Sequence, residues 1–131
     1  MSGYVIDDLA LAAGLAGTGT EHDRRELSRL IADAVRGGPG LHVPALCAWE
    51  AEHVRPGIVD HVVGLVAAAP PGAIGIAGLA RTPALDGLLG LRQRVGWPAA
   101  SAAAHALQTG ARIITVDPGR YPATGADTIA L

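Results

Sequence analysis

The chain has 131 residues, a formal net charge of −2 and a half-hydrophobic composition with two Trp, two Tyr and no Phe. That length suits a single domain, residues 1–131, whose core volume comes from Leu, Val, Ile and Ala, and the charge supplies no overall basic field to attract nucleic acid. All ten basic residues are Arg, so any mechanism that needs a catalytic lysine is excluded.

No run of about 18 uninterrupted apolar residues occurs, so no membrane span is expected. No basic region precedes the first apolar run, so no secretory signal is expected either. The single cysteine, Cys47, excludes an internal disulfide and fits a reducing cytoplasm. In "VPALCAWE" it reads as a small buried hydrophobe.

In chain order, residues 3–6 read as a short buried strand that runs into two adjacent acids, Asp7 and Asp8. Residues 8–16 read as a short Ala-rich helix ended by Gly17 and Gly19. The clearest helix covers 21–36. Leu27, Leu30, Ile31, Ala34 and Val35 recur at helical spacing, Thr20 is a candidate cap and Gly37-Gly38 a stop. Arg24, Arg25 and Arg29 lie off its apolar stripe and read as a solvated face paired with Glu21 and Glu26. A brief strand at 41–43 precedes a helix with Pro44 in its first turn, running to about Val54. Pro56 starts another helix, which Pro70-Pro71 ends.

Residues 73–77 form a third strand, weakened by Gly75. A helix follows from Thr82-Pro83 to about Val95, and a further one runs from Pro98 to Gly110. "RIITV" at 112–116 is the best strand in the chain. "DPGR" then reads as a turn, and a last strand lies at about 127–131. Strands alternate with helices throughout, which predicts an α/β fold with a mostly parallel sheet of about five strands covered by helices. Trp49 and Trp97 read as core or interface anchors.

In an open parallel sheet, ligands bind outside the carboxyl ends of the strands. Asp7 and Asp8 follow the first strand, Asp117 follows "RIITV", and Glu50 lies two helical turns beyond Val43. Crowded carboxylates repel and raise each other's pKa. A hard divalent cation such as Mg²⁺ resolves that conflict and can activate water for phosphodiester hydrolysis. Read singly, Asp8 is also a candidate helix cap, and Asp117-Pro118-Gly119 a turn in its own right. The His and acid residues of "EAEHVRPGIVDH" lack metal-site spacing, and Glu52 and His53 read as a solvated face.

"YVIDDLAL", "VPALCAWEAE" and "ALQTGARIITVDPGRY" resemble, in order and spacing, the three main blocks of PIN-domain proteins, most closely the VapC-type toxins of bacterial toxin–antitoxin pairs. The resemblance covers essentially the whole chain. It implies a three-layer α/β fold and Mg²⁺- or Mn²⁺-dependent cleavage of RNA by a quartet of acids. Asp7, Glu50 and Asp117 match three of these as catalytic and metal-binding residues, and Thr115 matches the Thr of the last block. The fourth acid is missing: its position falls on Ala99, with Asp8 a possible auxiliary. The side chain of Asp8 is expected to point away from that of Asp7 if the strand reaches that far. The resemblance also implies an antitoxin partner and a homodimer in the cytoplasm. Two functions stay open, a ribonuclease weakened by the lost acid and an inactive binding module acting through protein or nucleic-acid contacts.

Overall fold

A computed structural model describes residues 3–78 and 95–131. Five short runs form the strands, mostly β-branched in β1, β4 and β5 and most fully buried in β1, β2 and β4: β1 (Tyr4–Ile6), β2 (Leu41–Pro44), β3 (Ile74–Ala77), β4 (Arg112–Thr115) and β5 (Thr128–Ala130). They pair in the order β3-β2-β1-β4-β5, every pair parallel. Val5 sits opposite His42 on one side and Ile113 on the other. The central strands are sealed, with Val5 and Ile113 fully buried and Ile6 and Ile114 nearly so. That is the pattern of a sheet covered on both faces, and the architecture is three-layer α/β.

Five α-helices occur among the described residues: α1 (Asp8–Leu15), α2 (Glu21–Val35), α3 (Ala45–Val54), α4 (Ile58–Ala68) and α5 (Trp97–Thr109). None is long and apolar enough to cross a membrane. The helix expected from Thr82-Pro83 to about Val95 lies, but for its last residue, outside the described residues.

Local chemistry accounts for the ends of α2. The Thr20 hydroxyl accepts from the Asp23 backbone N–H, and the Asp23 carboxylate accepts from that of Thr20, a complete capping box. The helix stops where Gly37 turns to a φ of +93°. Arg24 pairs with Glu21, and Arg29 with Glu26 and Asp33. These pairs lie in water, where each contributes little.

Two starts differ from expectation. Pro44 closes β2 instead of entering the first turn of α3. Helix α4 begins at Ile58, after Gly57 takes a φ of +103° that only glycine adopts cheaply. The cap of α4 comes from α3: Glu52 accepts from the Gly57 and Val59 backbone N–H groups, both at 2.9 Å. Those two bonds, Val59 first, hold the Glu52 carboxyl below its usual pKa. The resulting stability is complete above the unfolded-state pKa and is lost as pH falls through the lower, folded-state value. Glu52→Gln is expected to give a small fall in melting temperature at pH 7. The gap to wild type should close on acidification, as followed by circular dichroism melts along a pH series.

Helix α1 packs against α2 and α3, and α5 lies against β1, β2 and β4. Where α1 meets α2, Gly14 leaves the space that the Leu27 side chain fills. On α5, Ala99, Ala100, Ala102, Ala103 and Ala106 are all buried, so small side chains let this helix sit close to its neighbours. Trp49 is 61 % exposed on α3, so it is no core anchor; its ring meets that of His53 edge-on.

Candidate functional site

The strand order reverses between β1 and β4: from β1 the chain steps outward to β2 and β3, then returns to place β4 on the other side. The crevice beyond the carboxyl ends of these two strands is the topological switch point, where ligands of open α/β sheets bind. Asp7 follows β1 directly and Asp117 lies two residues past β4.

Strand β1 ends at Ile6 because Asp7 turns the chain into α1. The Asp7 backbone N–H still reaches the Ile114 carbonyl, at 3.3 Å. Its Oδ1 accepts from the Ala10 N–H at 2.9 Å, so Asp7, and not Asp8, caps the helix. Asp8 then falls in the first helical turn. The strand-like alternation that would have separated the two carboxylates does not apply, and both face one partner.

That partner is Arg120. Its Nη1 lies 2.6 Å from Asp8 Oδ1 and 3.3 Å from Asp7 Oδ2, and its Nη2 lies 3.2 Å from Asp8 Oδ2. The neighbouring Tyr121 hydroxyl donates to Asp7 Oδ2 at 2.6 Å. Tyr121 is 1 % exposed and belongs to the core. "DPGRYPATG" is thus more than a turn. Two consecutive 3₁₀ turns, Pro118–Arg120 and Pro122–Thr124, bring Arg120 and Tyr121 together over the acid pair.

The electrostatics follow from burial. Asp7 has no exposed surface and Asp8 is 6 % exposed. Burial raises the Asp7 pKa, and the negative charge of Asp8 adds to that rise. Hydrogen bonds from Tyr121, the Ala10 N–H and the Thr115 hydroxyl work against it. Burial also acts against the Arg120 charge, but the hydrogen bond and negative charge of Asp8 hold the guanidinium above its usual value. Burial first, then the Asp7 charge, keeps the Tyr121 phenol protonated, so it remains a donor. The amino end of α1 adds its own positive dipole beside both acids.

The other expected site residues fall as follows. Thr115 is fully buried at the end of β4, and its Oγ1 accepts from the Asp117 N–H at 3.1 Å. The Asp117 side chain is exposed and makes no cap for the turn that follows. Glu50 is exposed on α3. Ala99 is fully buried. Among the described residues, no three His, Cys, Asp or Glu side chains gather closely enough to hold a metal ion.

Cys47 is buried beside Ser101, with Sγ 3.2 Å from the Pro98 carbonyl oxygen and 3.7 Å from Ser101 Oγ. Burial, reinforced by the nearby Asp8 charge, pushes the thiol pKa up, so it stays protonated and unreactive.

The donor chemistry bears on any divalent ion. Mg²⁺ and Mn²⁺ favour oxygen ligands. Asp7 Oδ2 and both Asp8 oxygens already face Arg120, Asp7 Oδ1 serves the cap, and Asp7 Oδ2 also accepts from Tyr121. In this arrangement the acids fit a guanidinium, and they do not fit a divalent ion. Arg120 and Tyr121 are the residues that sequence reasoning missed. The one signal was their position, directly after an acid that the β4 strand delivers to the switch point. No model of a known protein family matches the sequence, and no curated protein is significantly similar to it.

Proposed function

We propose that this chain is a PIN-like domain of the toxin type whose acidic site has been given over to an internal cation, and that it works by binding a protein partner rather than by cutting RNA. The observation behind this reading is the two-pronged contact of Arg120 with Asp8, extended to Asp7 and backed by Tyr121. Two buried acids paired in this way have no need of a metal as a counter-charge.

A protein partner is favoured over RNA by the surface charges. The net charge is −2, and Arg24, Arg25, Arg29 and Arg36 are each paired with an acid on the same helix. Phosphate binding needs basic groups that are not already compensated. Exposed apolar side chains on α3 and α4, Trp49, Val54 and Val63, suit contact with protein. A small antitoxin or a second copy of this chain, in the cytoplasm, is the natural class of partner.

The second reading, an Mg²⁺- or Mn²⁺-dependent ribonuclease using Asp7, Glu50 and Asp117, draws on the position of Asp7 and Asp117 at the switch point. An RNA cleavage assay decides between the two. The purified chain, incubated with unstructured RNA and MgCl₂ or MnCl₂, should leave the substrate intact. Cleavage that disappears in Asp7→Asn would establish the nuclease and overturn the binding-only reading.

A further inference from the structure

We infer that Arg120 is the resident cation of the acid pair, a tethered guanidinium in the place a divalent ion would otherwise fill, so that side chain and ion compete for the same oxygens. This rests on the binding-module reading and names what replaced the metal.

The geometry is that of a bridging cation. A single nitrogen, Nη1, faces both carboxylates, at 2.6 Å from Asp8 and 3.3 Å from Asp7, and Nη2 completes a forked pair on Asp8. A planar fork matches a carboxylate edge in a way that an ammonium group does not.

Burial makes a counter-charge necessary. The Asp7 side chain is fully excluded from water, that of Asp8 is 7 % exposed and that of Arg120 is 19 % exposed. Neighbouring anions with so little solvent need a positive charge close by, or one of them takes a proton.

The placement of Arg120 is built into the fold. It comes from the far end of the chain, 112 residues from Asp8. The 3₁₀ turn that carries it is fixed by its own N–H bond to the Asp117 carbonyl, at 3.2 Å. Beyond it, Tyr121 is locked in the core with its hydroxyl on Asp7. The segment between β4 and β5 therefore inserts two adjacent side chains, one charged and one neutral, that together satisfy the acids facing the switch point. A guanidinium stays charged at any pH that proteins meet and cannot diffuse away, so the pair is compensated whatever the divalent ion concentration.

The test compares the full chain with Arg120→Gln, using MnCl₂ titrations read by calorimetry and by thermal unfolding. Arg120→Gln should bind Mn²⁺ at least about tenfold more tightly than wild type. Its melting temperature, lowered in metal-free buffer, should rise on adding about 1 mM MnCl₂, while that of wild type stays fixed. The double variant Asp8→Asn/Arg120→Gln should fold without metal and lose the Mn²⁺ response. If Arg120→Gln does not fold in metal-free buffer, recovery of its helical circular dichroism with MnCl₂ or on adding Asp8→Asn supports the inference; recovery by neither overturns it. Equal Mn²⁺ affinity in wild type and Arg120→Gln also overturns it, as does an Arg120→Gln chain as stable as wild type and indifferent to Mn²⁺. None of these outcomes decides the binding-module reading, which falls only to Asp7-dependent RNA cleavage.

Discussion

Replacing Arg120 with Met is expected to lower the unfolding free energy by about 3–5 kcal/mol, the typical result of removing one member of a buried ion pair. For a chain of this size that corresponds to a fall in melting temperature of about 10–20 °C. Met keeps most of the apolar stem that Arg lays along its neighbours, so the loss reports mainly on the two stranded acids. The arithmetic favours the high end, because Asp7 is fully buried and Asp8 nearly so. Urea denaturation of Arg120→Met, Asp8→Asn and the double variant completes the cycle. The double variant should be more stable than the sum of the single losses predicts, with a coupling of about 0.5–3 kcal/mol. A loss under about 1 kcal/mol for Arg120→Met would place the contact among solvent-screened surface pairs and remove the electrostatic account of the site.

The second large effect is expected where α1 crosses α2. Leu27 is 1 % exposed and fills the space above Gly14. Leu27→Ala should destabilise the chain by about 2–5 kcal/mol through lost burial and a residual cavity. Gly14→Ala should be destabilising by about 1–3 kcal/mol, although Ala is the better helix former. A Cβ at position 14 would meet the Leu27 Cβ at 2.9 Å and Cγ at 3.1 Å, and these atoms lie near the backbone and cannot swing aside. Combining the two substitutions removes the contact with Cγ and everything beyond it, leaving only the Cβ–Cβ approach, so the double variant should lose less than the two single losses added together. Strict additivity in denaturant melts would show that the helices do not pack as described.

Most of the architecture was legible in the chain because it is written locally. Short apolar runs marked β1 and β4, helical spacing from Leu27 to Val35 marked α2, and the Thr20 cap is present with Asp23 as its reciprocal partner. The alternation of strands and helices pointed to a parallel sheet, and the sheet is parallel throughout. Helix starts were harder. Pro56 suggested the entry to α4, but a Gly57 turn and a carboxylate from the preceding helix set it at Ile58.

At the site, sequence reasoning placed Asp7 at the end of β1 and Asp117 just beyond β4. It could not see what faces Asp7. The helix read over 8–16 starts at Asp8 and swings the second acid round to join the first; the rest depends on two things that local pattern does not encode. Strand β4 lies beside β1. "DPGRY" makes a 3₁₀ turn that carries an arginine inward. An ion pair between residues 112 positions apart leaves no periodic trace. For Trp49 the sequence left core and interface open, because a large aromatic suits either, and its exposed position on α3 removes the core alternative.

The alanine face of α5 leaves no room for a charged side chain at position 99. Ala99 has no exposed surface, and its neighbours Ala100, Ala102 and Ala103 have none either. A carboxylate arriving at position 99 would bring extra atoms and a bare charge into a volume already filled by methyl groups. An acid there would therefore need the packed elements to move apart and a counter-ion to arrive with it. Close packing of this kind confines what α5 can tolerate: changes are cheap on its outward side and costly wherever a methyl group already fills the space.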